Sequence, residues 1–325
     1  MKFALLLIAL SLPAMHALAQ VVPVQFSTNQ STATNAPIFR ANTNGAGASS
    51  AESLTNSTPT TNAPYKIPPN RILEFSVPLT PAARLAIANS QNPPIDFARA
   101  ALAVPFGFDP EIPTPILLVS GSSDGEASSI RVLPAFTNVA LRLGWVVIAV
   151  DGPHGKPPND SPPWRWGLIS SLLDHMNKNW PGSRQWPIVA AGFSGGAKWS
   201  GVVGAILAQR GYNLVGVFMG GVNQDMASKA ASLYDPAVRF KRTPIYLSSG
   251  TKDKIATPQH HEEVKESLLS AGFSTVRLDT YDGGHGLSDS ELQKALKWFV
   301  ELYSKPPEAK PLQPNQFEPN PAIIK

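Results

Sequence analysis

The stretch Gly192-Phe193-Ser194-Gly195-Gly196 constrains this chain more than any other. Before it runs an apolar segment, Trp186-Pro187-Ile188-Val189-Ala190-Ala191, and after it comes a helix-like stretch at 197–209. A strand that turns abruptly into a helix forces the turning residue into a strained backbone conformation, and glycines beside it avoid the clashes that follow. A serine at that point stands clear of the sheet, at the positive end of the helix. The same spacing also fits a tight turn with a structural serine, so the rest of the chain has to decide between the two readings.

The surrounding pattern alternates. Strand-like runs cover 72–77, 99–104, 116–120, 145–150, 188–191, 214–219, 245–248 and 275–280. Helix-like stretches cover 129–143, 166–177, 197–209, 259–271 and 288–303. The central runs are apolar almost without a break, as strands buried on both faces must be. This alternation predicts an α/β fold, a mainly parallel central sheet flanked by helices on both faces, with the first two strands open to an antiparallel edge. Sites in such sheets lie at the carboxyl ends of strands.

The pattern occupies 70–304. Residues 20–69 are rich in Ser, Thr, Asn and Pro and lack a sustained apolar period, which predicts a disordered linker. The segment 305–325 is a Pro-rich tail. At the start, Met1-Lys2, an apolar core at 3–12 and Ala17-Leu18-Ala19 form a secretory signal pattern over 1–19. That core is too short to span a bilayer, so no transmembrane anchor is expected and the protein is expected to be secreted or periplasmic.

Composition removes several classes of function. The net charge of +4 is scattered rather than gathered into a basic run, which leaves no footprint for nucleic acid. There is no cysteine, which excludes disulfides, thiol catalysis and thiolate metal sites. His260 and His261 are adjacent and so diverge on a helix, where both are expected to be exposed. With no carboxylate at ligand spacing they make no metal site. Neither a dinucleotide fingerprint nor a phosphate loop is present, so no cofactor is expected.

A serine hydroxyl needs a base, and the base needs an orienting carboxylate. Gly250-Thr251-Lys252-Asp253 follows the strand-like run at 245–248, which puts Asp253 at a carboxyl end before a helix. Asp282-Gly283-Gly284-His285-Gly286 follows the run at 275–280, with glycines expected to free the loop around the imidazole. Asp253 is the favoured acid, with Asp225, after the run at 214–219, as its rival and a plain turn or cap role for Asp253 as the alternative. Among the other histidines only His154, in the loop after 145–150, competes with His285. Trp164, Trp166 and Trp199 read as packing residues, with stacking on a substrate as the alternative.

The order Ser194, Asp253, His285, each at a strand end, resembles the α/β-hydrolase family over roughly 72–303, and most of all secreted esterases of the depolymerase-like or dienelactone-hydrolase-like kind. The resemblance implies Ser194 as nucleophile, His285 as general base and acid, and Asp253 as its orienter. It implies an oxyanion hole of two backbone N–H groups. Gly195 supplies one; Ser122, in the loop after 116–120, is assigned the other. Family members commonly carry His-Gly in that loop, and Ser120-Gly121 stands here instead. The implied activity is hydrolysis of a small or polymeric carboxylic ester without a cofactor. A peptidase, thioesterase or amidase on the same scaffold, or a non-catalytic binding protein, are the alternatives.

Overall fold

The structure is a computed structural model, and it describes residues 39–41, 67–122, 128–154, 157–234 and 237–304. The signal pattern, nearly all of the linker and the Pro-rich tail lie outside them. Among the described residues nine strands form one sheet in the order β1-β2-β3-β5-β4-β6-β7-β8-β9. The strands are β1 (Phe39–Ala41), β2 (Leu73–Pro78), β3 (Phe97–Ala103), β4 (Ile116–Ser120) and β5 (Val146–Asp151). They continue with β6 (Ile188–Phe193), β7 (Leu214–Gly220), β8 (Ile245–Gly250) and β9 (Val276–Tyr281). From β5 through β9 in sheet order every pairing is parallel, whereas β1, β2, β3 and β5 pair antiparallel in succession. The early strands therefore do form the antiparallel edge.

The helices are α1 (Pro81–Asn89), α2 (Ser129–Arg142), α3 (Pro162–Asn179), α4 (Gly195–Gln209), α5 (Ala227–Leu233), α6 (Ala237–Lys241), α7 (Pro258–Ser270) and α8 (Asp289–Ser304). Side chains of β4 alternate between two layers. Ile116 and Leu118 join α1, α3 and α4 on one face, and Leu117 and Val119 join α2 and α8 on the other. Phe136, Phe218 and Phe299 are completely buried in the second layer, where each contributes about 1.5–3 kcal/mol of hydrophobic stabilisation. A third cluster packs α4, α5 and α7 over β7 and β8.

The topology fixes where a site can form. From β4 the chain moves to β5 on one side, then crosses back to β6 on the other side of β4. Consecutive connections leave in opposite directions at this point, which opens a crevice beyond the carboxyl ends of β4 and β6. The loop after β4 holds Ser122, and the turn after β6 holds Ser194. Helix α3 begins at Pro162, earlier than the expected 166, because Pro162 and Pro163 fit its first turn, where no N–H is needed. Among the described residues no helix is long and apolar enough to cross a membrane.

Candidate active site

Ser194 is the hinge between β6 and α4, with φ 56° and ψ −122°, a conformation rarely adopted outside glycine. Its N–H donates to Gly220 O at the end of β7 (2.8 Å), and its own carbonyl accepts the N–H of Ala197 (3.0 Å). The flanking glycines are there for space. A Cβ on Gly192 would lie 2.1 Å from Gly196 O, and one on Gly196 would lie 2.2 Å from Ser120 O. The end of β4 thus rests directly on the turn, and no side chain fits between them.

Three groups meet here. Ser194 Oγ lies 2.9 Å from His285 Nε2, and His285 Nδ1 lies 2.7 Å from Asp253 Oδ2. In the tautomer whose Nδ1–H donates to the carboxylate, Nε2 is left to accept the serine hydroxyl. Asp253 is buried, and its Oδ1 accepts the N–H groups of Ile255 (2.8 Å) and Ala256 (2.9 Å). Burial works to raise its pKa, but the hydrogen bonds from His285, Ala256 and Ile255 outweigh it and hold the carboxyl below its usual value. One carboxylate oxygen of Asp253 thus closes its own turn, and the other faces the imidazole.

The rival acid is occupied elsewhere. Asp225 Oδ1 accepts Ser228 N–H at the start of α5, and Oδ2 accepts the Ser267 hydroxyl. His154 does not enter the relay, since both ring nitrogens of His285 face the other two members.

One expectation about the histidines needs correction. His261 is not exposed. It is fully buried, and its Nε2 accepts Val222 N–H (3.1 Å) while Nδ1 lies 3.1 Å from Thr257 O. Position four on α7 turns inward, and burial lowers its pKa so that it sits neutral. The glycines around His285 differ among themselves: a Cβ on Gly283 would strike the Tyr281 ring at 2.5 Å, whereas Gly284 and Gly286, on either side of the histidine, would meet nothing closer than 4.0 Å. At the end of β8, a Cβ on Gly250 would strike Gly284 O at 2.5 Å, so the strand packs directly on this loop. The Tyr281 hydroxyl donates toward the carbonyls of Gly284 and Gly286 and tethers the loop from inside. Phe193 packs tilted against the imidazole, with ring centroids 4.8 Å apart.

Ser122 and Gly195 are neighbours. A Cβ on Gly195 would lie 2.0 Å from Ser122 Oγ and 3.2 Å from Ser122 Cα. Gly121 N–H donates to Ser129 Oγ (3.0 Å), and the N–H groups of Ser129 and Ile130 are capped by the two oxygens of Asp151 (2.9 and 2.8 Å).

A cleft of about 370 Å³ opens beside Gly195, with Asp160, Lys198, Trp199, Gln224 and Met226 in its wall. Of the tryptophans, Trp164 is core and Trp166 packs edge-on to Tyr212, while Trp199 faces this cleft. Asp160, Lys198 and Met226 carry no sequence signature that would have singled them out. Among the described residues no group of His, Asp and Glu is arranged to hold a metal ion.

No family model matches the chain, and no curated protein matches it. Solved structures do. One is a ferulic acid esterase, at 14% identity and a TM-score of 0.51, covering 71% of this chain and 98% of its own. Another is a hyperthermophilic esterase from the archaeon Pyrobaculum calidifontis, at 15% identity and a TM-score of 0.50, covering 73% of this chain and 85% of its own. At such identities a likeness speaks for architecture alone. With the sheet order, the strained turn after β6 and helices on both faces, it shows that the chain has the α/β-hydrolase fold.

Proposed function

We propose that this protein is a secreted serine hydrolase that cleaves carboxylic esters through an acyl-enzyme. The observation that carries the reading is the continuous hydrogen-bonded line Ser194–His285–Asp253, at 2.9 and 2.7 Å, at a strained strand-to-helix turn. Likeness to structures described as esterases supports the ester class. Export rests on the pattern at 1–19 alone.

The chemistry follows from the geometry. Ser194 Oγ adds to the ester carbonyl as its proton passes to His285 Nε2. Asp253 holds the ring in the competent tautomer and stabilises the imidazolium. The carbonyl oxygen, now an oxyanion, accepts the N–H groups of Gly195 and Ser122 at the positive end of α4. Collapse of the tetrahedral intermediate breaks the bond to the alcohol oxygen, which takes the proton from His285 and leaves. Water then adds to the acyl group and gives its proton to His285; the second collapse breaks the bond to Ser194 Oγ, which takes that proton back from His285, and frees the acid.

The test is fluorophosphonate labelling of the protein and of its Ser194→Ala variant, followed by a panel of esters, thioesters and amides. Labelling that disappears with the serine, and turnover of esters ahead of the other classes, is the expected result. A folded wild-type protein that takes no label would end the reading and turn the search to a binding partner.

A further inference from the structure

Arg165, in the first turn of α3, has all three of its guanidinium nitrogens committed. Nε and Nη2 donate to the two oxygens of Asp160, each at 2.7 Å, and Nη1 donates to Gly121 O at 3.0 Å. The guanidinium carbon lies 4.2 Å above the Trp199 ring, on α4. The Arg165 and Asp160 side chains are 13% and 8% exposed, so little solvent screens the pair. Such a fork is rigid in a way a lysine cannot reproduce.

The group it grips is what matters. Gly121 C=O and Ser122 N–H belong to one peptide unit, and in a planar trans peptide they point in opposite directions. A hold on the carbonyl therefore sets the aim of the N–H. The neighbouring peptide is fixed as well, because Gly121 N–H is held by Ser129 Oγ at 3.0 Å. A cation on the carbonyl also polarises the amide and strengthens its N–H as a donor.

We infer that Arg165 is a positioning residue for the oxyanion hole: through Gly121 O it orients and polarises the Ser122 amide toward the developing oxyanion. The inference rests on the serine-hydrolase reading above. It gives this chain a means of holding its β4 loop with Ser120-Gly121 where a His-Gly pair is absent. It also joins the hole to the cleft, because Asp160 and Trp199, which anchor the guanidinium, line the wall beside Gly195.

The test compares wild type with Arg165→Gln, Arg165→Lys and Asp160→Asn on one ester. Its second readout is inhibition by a trifluoromethyl ketone, whose serine adduct places an oxyanion in the hole. Arg165→Gln should lower kcat by about 10²-fold, the scale of losing one oxyanion donor, with little change in KM. The inhibition constant should rise by a similar factor. Arg165→Lys should not rescue, because it lacks the fork. Asp160→Asn keeps the guanidinium but loosens it, and should show a smaller loss in kcat with the same split. Near-UV circular dichroism identifies any variant that fails to fold, and Asp160→Asn then carries the test. A changed KM at constant kcat, or a kcat loss that leaves ketone affinity unmoved, would overturn the inference while the hydrolase reading stands. A wild type that takes no fluorophosphonate label would remove both.

Discussion

Asp253 divides its two carboxylate oxygens between two tasks: Oδ2 lies 2.7 Å from His285 Nδ1, while Oδ1 closes the turn that presents it through the N–H groups of Ile255 and Ala256. Fixing the acid and fixing its loop are therefore one interaction. Asp253→Asn should lower kcat by about 10⁴-fold, because the amide favours the wrong imidazole tautomer. Its effect on stability depends on pH. The folded-state pKa lies below the usual 3.8, so the carboxylate's contribution is complete well above that value and is lost as pH falls through the lowered one. Urea midpoints of wild type and Asp253→Asn should differ most near neutral pH and converge in acid.

Asp225 offers the matching control. Its carboxylate accepts the Ser228 N–H near the start of α5 and the Ser267 hydroxyl. Asp225→Ala should cost about 1 kcal/mol, on the scale of a lost cap, with kcat unchanged. A kcat collapse in this variant would reassign the acid.

The strain at Ser194 predicts an inverted stability order. Its φ of 56° favours glycine, so Ser194→Gly should exceed Ser194→Ala in stability by about 1–2 kcal/mol, although glycine ordinarily costs more to order. Both variants should be inactive. Equilibrium urea unfolding of the pair measures the difference, and equal midpoints would contradict a strained turn.

Two glycines should part company under the same substitution. Gly196→Ala puts a methyl 2.2 Å from Ser120 O, so the end of β4 must move and take the Gly121–Ser122 peptide with it. Activity should fall steeply along with stability. Gly286→Ala, adjacent to His285, meets nothing within 4 Å and should stay within about 0.5 kcal/mol of wild type. Thermal melts and ester turnover on both variants check this.

Tyr246 predicts a stability effect remote from catalysis. Its hydroxyl lies between Asp279 Oδ2 (2.8 Å) and Glu291 Oε2 (2.9 Å), and burial followed by these two bonds pushes its pKa well above the usual range. The phenol therefore stays protonated. Tyr246→Phe should cost about 1–3 kcal/mol at neutral pH, since two carboxylates lose a shared donor. The cost should shrink in acid as Asp279, whose pKa is held below its usual value by Arg277 and Tyr246, takes up its proton.

The fold was legible where the pattern was long. Near-continuous apolar runs such as 116–120 and 145–150 marked strands buried on both faces, and the observed β4 spans Ile116–Ser120. Helices α5 and α6 were not legible. They are short and lie under the third cluster, so packing rather than periodicity makes them helical. Helix α1 did carry a signal, the cap Thr80 before Pro81, but it is too brief for its apolar stripe to stand out. Of the site, chain order pointed to the residues that meet at Ser194. Arg165 gave no sign, because its meaning depends on a carbonyl far away in sequence.

The ends of the sheet bear on how copies of this protein meet. At one end, among the described residues, β1 pairs with Leu73–Phe75, and β2 finishes at Pro78, which has no N–H to offer an incoming strand. At the other end β9 carries Arg277 and Asp279, paired at 2.7 Å. Among the described residues a newcomer thus meets a three-residue strand at one margin and a charged rail at the other, poor templates for strand addition. Concentrated solutions should resist edge-to-edge polymerisation, and any dimer that forms should join through helical surfaces.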